Sequence, residues 1–198
     1  MESIYDIFIS YRHEKNEIAD RVYDRLNLYG YEVCFDKASY TKSNKGLKKL
    51  TEDIAKCTDF LLFLSKNTFK RGFWRDILHR KEIDWVEREI RTAFATWDNE
   101  SNTASEHDGV NIIVVLFPNE DKMPNNLPKD LEERIKDIPA VYHNNVSFAH
   151  YNVFISELVA KLKSKPKHLP DNIVFDPRLY KSMEGARTIS RELLIQKI

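Results

Sequence analysis

Residues 5–14 read YDIFISYRHE. The apolar residues from Ile4 to Ile9 describe a strand, and the polar group Ser10, Tyr11, Arg12 and His13 follows at once. Two later runs, DFLLFLS (59–65) and NIIVVLF (111–117), are continuously apolar, as expected of central strands covered on both faces. EVCFD (32–36) and PAVYH (139–143) read as short second and fifth strands. Between the first two strands, Ile18, Val22, Leu26 and Tyr29 recur at helical spacing, and Gly30 follows as a C-terminal cap. LKKLTEDIAKC (47–57), LPKDLEERIKDI (127–138) and YNVFISELVAKLKSK (151–165) read as further helices. Strands alternating with helices imply a parallel sheet with helices on both faces.

The helix from Ile83 holds the acids Asp84, Glu87 and Glu89. Asp84 and Glu87 fit a capping pair at the helix start. Val86, Ile90, Ala93, Phe94 and Trp97 form its apolar stripe. Glu89 lies beside that stripe and shares a face with Trp85, four residues earlier. From spacing alone, an acid at such an edge is read as solvated or ion-paired.

Composition narrows the classes. A chain of 198 residues suits one domain and a tail. Apolar residues make up 42% and aromatics 12%, so the chain is globular. Basic and acidic residues number 31 each, so no charge imbalance points to nucleic acid or an anionic membrane. The apolar runs are too short to span a bilayer, and no signal peptide opens the chain. Cys34 and Cys57 fall inside expected elements and read as reduced core residues of a cytosolic protein. The six histidines show no metal-ligand spacing. KASYTKSNKG (37–46) and DNESNTASEHDG (98–109) read as loops.

Sheets of this kind bind ligands at the carboxyl ends of their strands, near the switch in strand order. The polar groups expected there are Ser10 to His13, Asp36, Ser65, Asn67 and Asn119. An arginine in such a place suits an anionic group such as a phosphate, although a solvated strand end explains these residues equally well. Gly46 stands alone, so phosphate-loop and dinucleotide fingerprints are absent, as is a Gly-x-Ser-x-Gly elbow.

Three segments, in this order, resemble a TIR (Toll/interleukin-1 receptor) domain over about residues 4–164. YDIFISYRHE is similar to the first TIR box. Residues 31–67 resemble the second strand, the BB loop with its glycine (Gly46) and the third strand. DWVEREI (84–90) resembles the Trp-x-x-x-Glu element of TIR domains that cleave NAD. The resemblance implies a flavodoxin-like three-layer α/β sandwich with about five parallel strands. It makes 1–164 the TIR domain and 165–198 a linker and partly helical C-terminal tail. The family's catalytic glutamate falls on Glu89. Substrate-binding positions fall on Tyr11, Arg12, His13, Asp36 and Trp85, and BB-loop assembly or gating on Lys45 and Gly46. Family BB loops often carry a proline beside the glycine; here the neighbours are Lys45 and Leu47.

Such a protein is an NAD+ glycohydrolase or cyclase. It releases nicotinamide and either ADP-ribose or a cyclic ADP-ribose-type signal. NAD+ is then the substrate, and no cofactor or metal is expected. The resemblance further implies a cytoplasmic protein of anti-phage defence. Its partners would be other TIR domains, met through the BB loop, and a separate effector that responds to the product. If the chain is complete, the lack of a long sensor or effector domain favours the signal-making role. Two alternatives stand beside this reading: a non-enzymatic TIR adaptor acting by assembly, and a nucleoside deoxyribosyltransferase-like enzyme.

Overall fold

The structure, a computed structural model, describes residues 5–12, 16–35, 44–65, 68–69, 85–101, 109–117, 127–143 and 148–168. The strands are β1 (Tyr5–Ser10), β2 (Val33–Phe35), β3 (Cys57–Leu64), β4 (Asn111–Leu116) and β5 (Ala140–Tyr142). They form one sheet in the order β2-β1-β3-β4-β5, with every pairing parallel. The helices are α1 (Asn16–Leu28), α2 (Asn44–Ala55), α3 (Trp85–Ser101), α4 (Lys129–Lys136) and α5 (Phe148–Lys161). The five-stranded parallel sheet between helical layers is the expected flavodoxin-like sandwich.

The strand period of two sorts the core. Ile7, Ile9, Leu61, Phe63, Ile113 and Val115 face α1 and α5. Phe8, Phe60, Leu62, Leu64, Ile112 and Val114 face α2, α3 and α4. Phe8 and Phe60 are register partners, and their rings stack at 5.6 Å. Both cysteines are buried, and neither is in a disulfide. Among the described residues, no helix is long and apolar enough to cross a membrane.

Gly30 ends α1 as its sequence position implies. Its φ is 79°, its N–H bonds the Asn27 carbonyl at 2.9 Å, and the Tyr31 N–H bonds the Leu26 carbonyl at 3.2 Å. This is a Schellman closure, which favours glycine in the left-handed position. A second demand comes from outside the helix: a Cβ at Gly30 would meet Lys167 and His168 at 2.8 Å.

Those two residues belong to a strap along the amino-terminal end of the sheet. Asp59, fully buried near the start of β3, holds it. One carboxylate oxygen accepts from the Asn111 side-chain amide (2.6 Å) and the Lys163 N–H (2.9 Å). The other accepts from the Ser164 N–H (2.9 Å) and hydroxyl (2.5 Å). Further on, Lys167 pairs with Glu32 at 3.2 Å and the His168 N–H bonds the Tyr29 carbonyl at 3.0 Å. The first residues read as linker therefore lie against the turn between α1 and β2. The tail from 169 lies outside the described residues.

Element ends differ from the sequence reading in several places; α5, for one, runs from Phe148 to Lys161 rather than over 151–165. Helix α2 starts at Asn44, so Lys45 and Gly46 are in its first turn and not in the preceding loop. First-turn amides have no intrahelical acceptor, so a poor helix former is tolerated there. Cys57 opens β3 rather than closing α2. Helix α3 runs through residues 98–101, which read as loop. Tertiary contact extends it: Asp98 takes both guanidinium ends of Arg134 at 2.7 and 3.0 Å, and that guanidinium lies 4.0 Å from the Phe94 ring.

A second arginine joins the same helices. Arg91 donates to Glu87 at 3.0 Å and to Asp130 at 2.6 Å. The hydrogen bond from Arg91 holds the Asp130 carboxyl below its ordinary value. A depressed folded-state pKa contributes stability above the ordinary carboxylate range, and that contribution is lost as pH falls through the folded value. The stability difference between wild type and Asp130→Asn should therefore shrink on acidification, as read from urea unfolding at a series of pH values. Asp59→Ala should lower unfolding stability by about 3 kcal/mol or more, because several donors lose a buried charged acceptor, whereas Ser164→Ala should cost about 1 kcal/mol. Denaturant titration checks both.

Candidate active site

The strand order reverses between β1 and β3, and sheets of this kind bind ligands at the carboxyl ends of the strands at such a switch. Ser10 closes β1 there, opposite Leu62 of β3. By alternation it shares the face of Phe8, toward α2 and α3, and it is 1% exposed.

Helix α3 brings Glu89 to the same place. Val86, Ile90 and Ala93 dock its stripe on the sheet, and Glu89 lies three residues past Val86 and four before Ala93. It is only 5% exposed, and its Oε2 accepts a 2.5 Å hydrogen bond from the Ser10 hydroxyl. The reading from spacing of a solvated surface acid is corrected here by burial. Glu89 is on the buried stripe itself and pairs with a neutral hydroxyl from the sheet. Burying a carboxyl group is costly unless its oxygens find partners.

The neighbouring residues take different positions. Arg12 donates from Nη1 to the Thr68 carbonyl at 2.7 Å, which ties the chain after β1 to the chain after β3. Thr68 is fully buried in a turn closed by two bonds. Its N–H meets the Ser65 carbonyl at 2.9 Å, and its hydroxyl accepts from the Ser65 N–H at 2.7 Å. Tyr11 is 9% exposed and points to the other face, where its ring stacks on Phe35 at 4.9 Å. Phe35 stacks in turn on Tyr23 of α1 at 4.9 Å. Trp85 is half-buried against the α2–α3 core, one helical turn before Glu89.

Glu87 is engaged by Arg91. Its proposed capping partner Asp84 lies outside the described residues, as do His13, Asp36, Asn67 and Asn119. Lys45 is exposed and Gly46 buried within α2. Of the residues expected from sequence, the structure thus brings Glu89 and Trp85 onto one helix face and sets Arg12 at the same end of the sheet. It turns the Tyr11 ring away. Sequence reasoning missed Ser10 as the partner of Glu89, and Thr68 altogether. The alternation through Phe8 carried a signal for Ser10; nothing in the sequence marked the Thr68 carbonyl as an acceptor.

A family model described as "TIR domain" matches residues 7–145. The chain belongs to the TIR-domain family. A search of curated proteins found no match. Among solved structures, the domain is similar to a metazoan TIR-STING receptor from C. gigas, solved in complex with 2',3'-cGAMP. The TM-score is 0.51 at 13% identity, over 82% of this chain and 40% of that one. The chain thus spans well under half of that receptor, and the likeness speaks to the fold. The TIR domains of the activated Roq1 resistosome, which recognises the pathogen effector XopQ, match with a TM-score of 0.38 at 12% identity, over 78% of this chain and 70% of that one. A diflavin flavoprotein A3 from Nostoc sp. matches at 0.42 and 14% identity, over 82% and 92% of the two chains.

The Arg12 contact has a measurable consequence. Arg12→Ala should speed amide hydrogen exchange at Thr68 and lower stability by about 1.5–3 kcal/mol, the range for a hydrogen bond involving a charged group. Exchange at core amides of β3 should change only by the global stability difference.

Proposed function

We propose that this TIR domain cleaves the nicotinamide–ribose bond of NAD+ with Glu89 as the catalytic carboxylate. The observation that carries the reading is a glutamate buried at the strand-order switch, bonded to the end of β1 and one turn after Trp85. The reaction needs only one such group. The nicotinamide of NAD+ is already a cationic leaving group and departs neutral, so no general acid is required. This differs from ordinary glycoside hydrolysis, which uses two carboxylates. The remaining task is to oppose the positive charge that develops on the ribose. A preorganised carboxylate in a water-poor setting does this well.

Trp85 would pack beside the ribose and keep water from Glu89. The resemblance gives Arg12 to the diphosphate, and its Thr68 bond, which keeps the guanidinium at the strand end, supports that assignment. Tyr11 enters as the packed wall beneath Arg12. His13 and Asp36 remain substrate-binding assignments, and Lys45 and Gly46 assembly or gating ones, that rest on the resemblance. The nucleophile that collapses on the ribose sets the product. Water gives ADP-ribose, and a group of the same molecule gives a cyclic isomer. Either product fits a cytoplasmic anti-phage role, by NAD+ depletion or by signalling to a separate effector. The adaptor reading makes no use of a buried glutamate at the switch point.

Purified protein, dilute and crowded to favour assembly, would be incubated with NAD+ and its products separated by chromatography. Nicotinamide release is expected, with a loss on the order of 100-fold or more in Glu89→Gln. That variant keeps an acceptor for Ser10 and nearly the same volume. Release unaffected by Glu89→Gln, or no release under any assembly condition while copies still associate, would favour the adaptor.

A further inference from the structure

We propose that Ser10 is the positioning residue of the site: its hydroxyl fixes the rotation of the Glu89 carboxylate, and it matters to turnover rather than to substrate binding. The inference rests on the reading of Glu89 as the catalytic carboxylate.

The position is unusual for a serine. Its neighbours on that face, Phe8 and Leu62, are apolar and fully buried, and Ser10 is itself 1% exposed. A hydroxyl there is unfavourable unless it has an acceptor. Its acceptor is Glu89, 79 residues away in sequence, at 2.5 Å.

A glutamate needs such a partner to be oriented. Packing holds its aliphatic stem, but the last torsion of the side chain is broad and roughly two-fold. Packing against apolar side chains alone would leave the plane of a carboxylate poorly defined. An O–H donor on Oε2 defines that plane and, with it, the direction of Oε1.

The donor sits on a rigid mount. β1 is paired with β2 on one side and β3 on the other. The two residues after Ser10 are also locked, Tyr11 by its stack on Phe35 and Arg12 by its bond to Thr68. Sites built on such elements hold their geometry better than sites on loops. A preset carboxylate opposes charge at the moment it develops on the ribose, without reorganising. The bond between Ser10 and Glu89 thus acts on the transition state more than on bound NAD+.

The test compares wild type, Ser10→Ala, Ser10→Thr and Glu89→Gln for nicotinamide release. Each is assayed below its own melting temperature, under the conditions that activate wild type. Expected are a kcat loss of up to about 100-fold in Ser10→Ala with KM for NAD+ changed less than about two-fold, and recovery of most of kcat in Ser10→Thr, which restores the hydroxyl. Should Ser10→Ala melt below the assay temperature, Ser10→Cys carries the same expectation, since a thiol donates only weakly.

An active wild type, a dead Glu89→Gln and a Ser10→Ala with wild-type kcat would overturn the role of Ser10 alone. A raised KM with unchanged kcat would also overturn it. A wild type inactive under every condition, or a fully active Glu89→Gln, would overturn the reading of Glu89 and this inference with it.

Discussion

A parallel strand covered on both faces has no solvent to satisfy its polar side chains. Every such group placed there must find its partners inside the protein. β1 and β3 are strands of this kind, and the constraint governs where this domain can do anything but pack. Two buried polar residues break their apolar runs. Asp59, near the start of β3, is surrounded by donors from β4 and the segment after α5. Ser10, at the end of β1, is answered by a carboxylate from α3. The same rule closes one end of the sheet and equips the other.

The candidate site therefore depends on how α3 docks. Glu89 reaches Ser10 only while Val86, Ile90 and Ala93 stay seated on the sheet. Two ion pairs hold the exposed side of that helix to α4, Arg91 with Asp130 and Asp98 with Arg134. Arg134 also lies against Phe94 and Trp97, so the contact couples charge to aromatic packing. Individual surface ion pairs contribute little, but two of them on one helix pair restrict sliding as well as separation.

The fold was legible because its signals are local and redundant. Continuous apolar runs marked β3 and β4, and Gly30 marked the end of α1 through a backbone requirement that few residues meet. The ends of α2 and α3 were less legible. Gly46 reads as a loop residue unless one knows that it falls in a first turn. Residues 98–101 are helical because Asp98 meets an arginine 36 positions away. The site was half legible. Glu89 stood out through its likeness to a known element, while its burial depended on a three-residue step from Val86 that spacing alone left ambiguous. The resemblance gave Tyr11 a substrate-binding place, and alternation along β1 turns its ring toward Phe35. The Ser10–Glu89 bond joins two segments that only the packing of α3 on the sheet brings together.

The two outer strands of the sheet, β2 and β5, have three residues each, against six and eight for β1 and β3 at its centre. An edge this short offers another chain only a few backbone groups to pair with. Strand-by-strand growth of the amyloid type is thus poorly templated. Among the described residues, the sheet edges therefore offer crowded copies less to recognise than helices and side chains do.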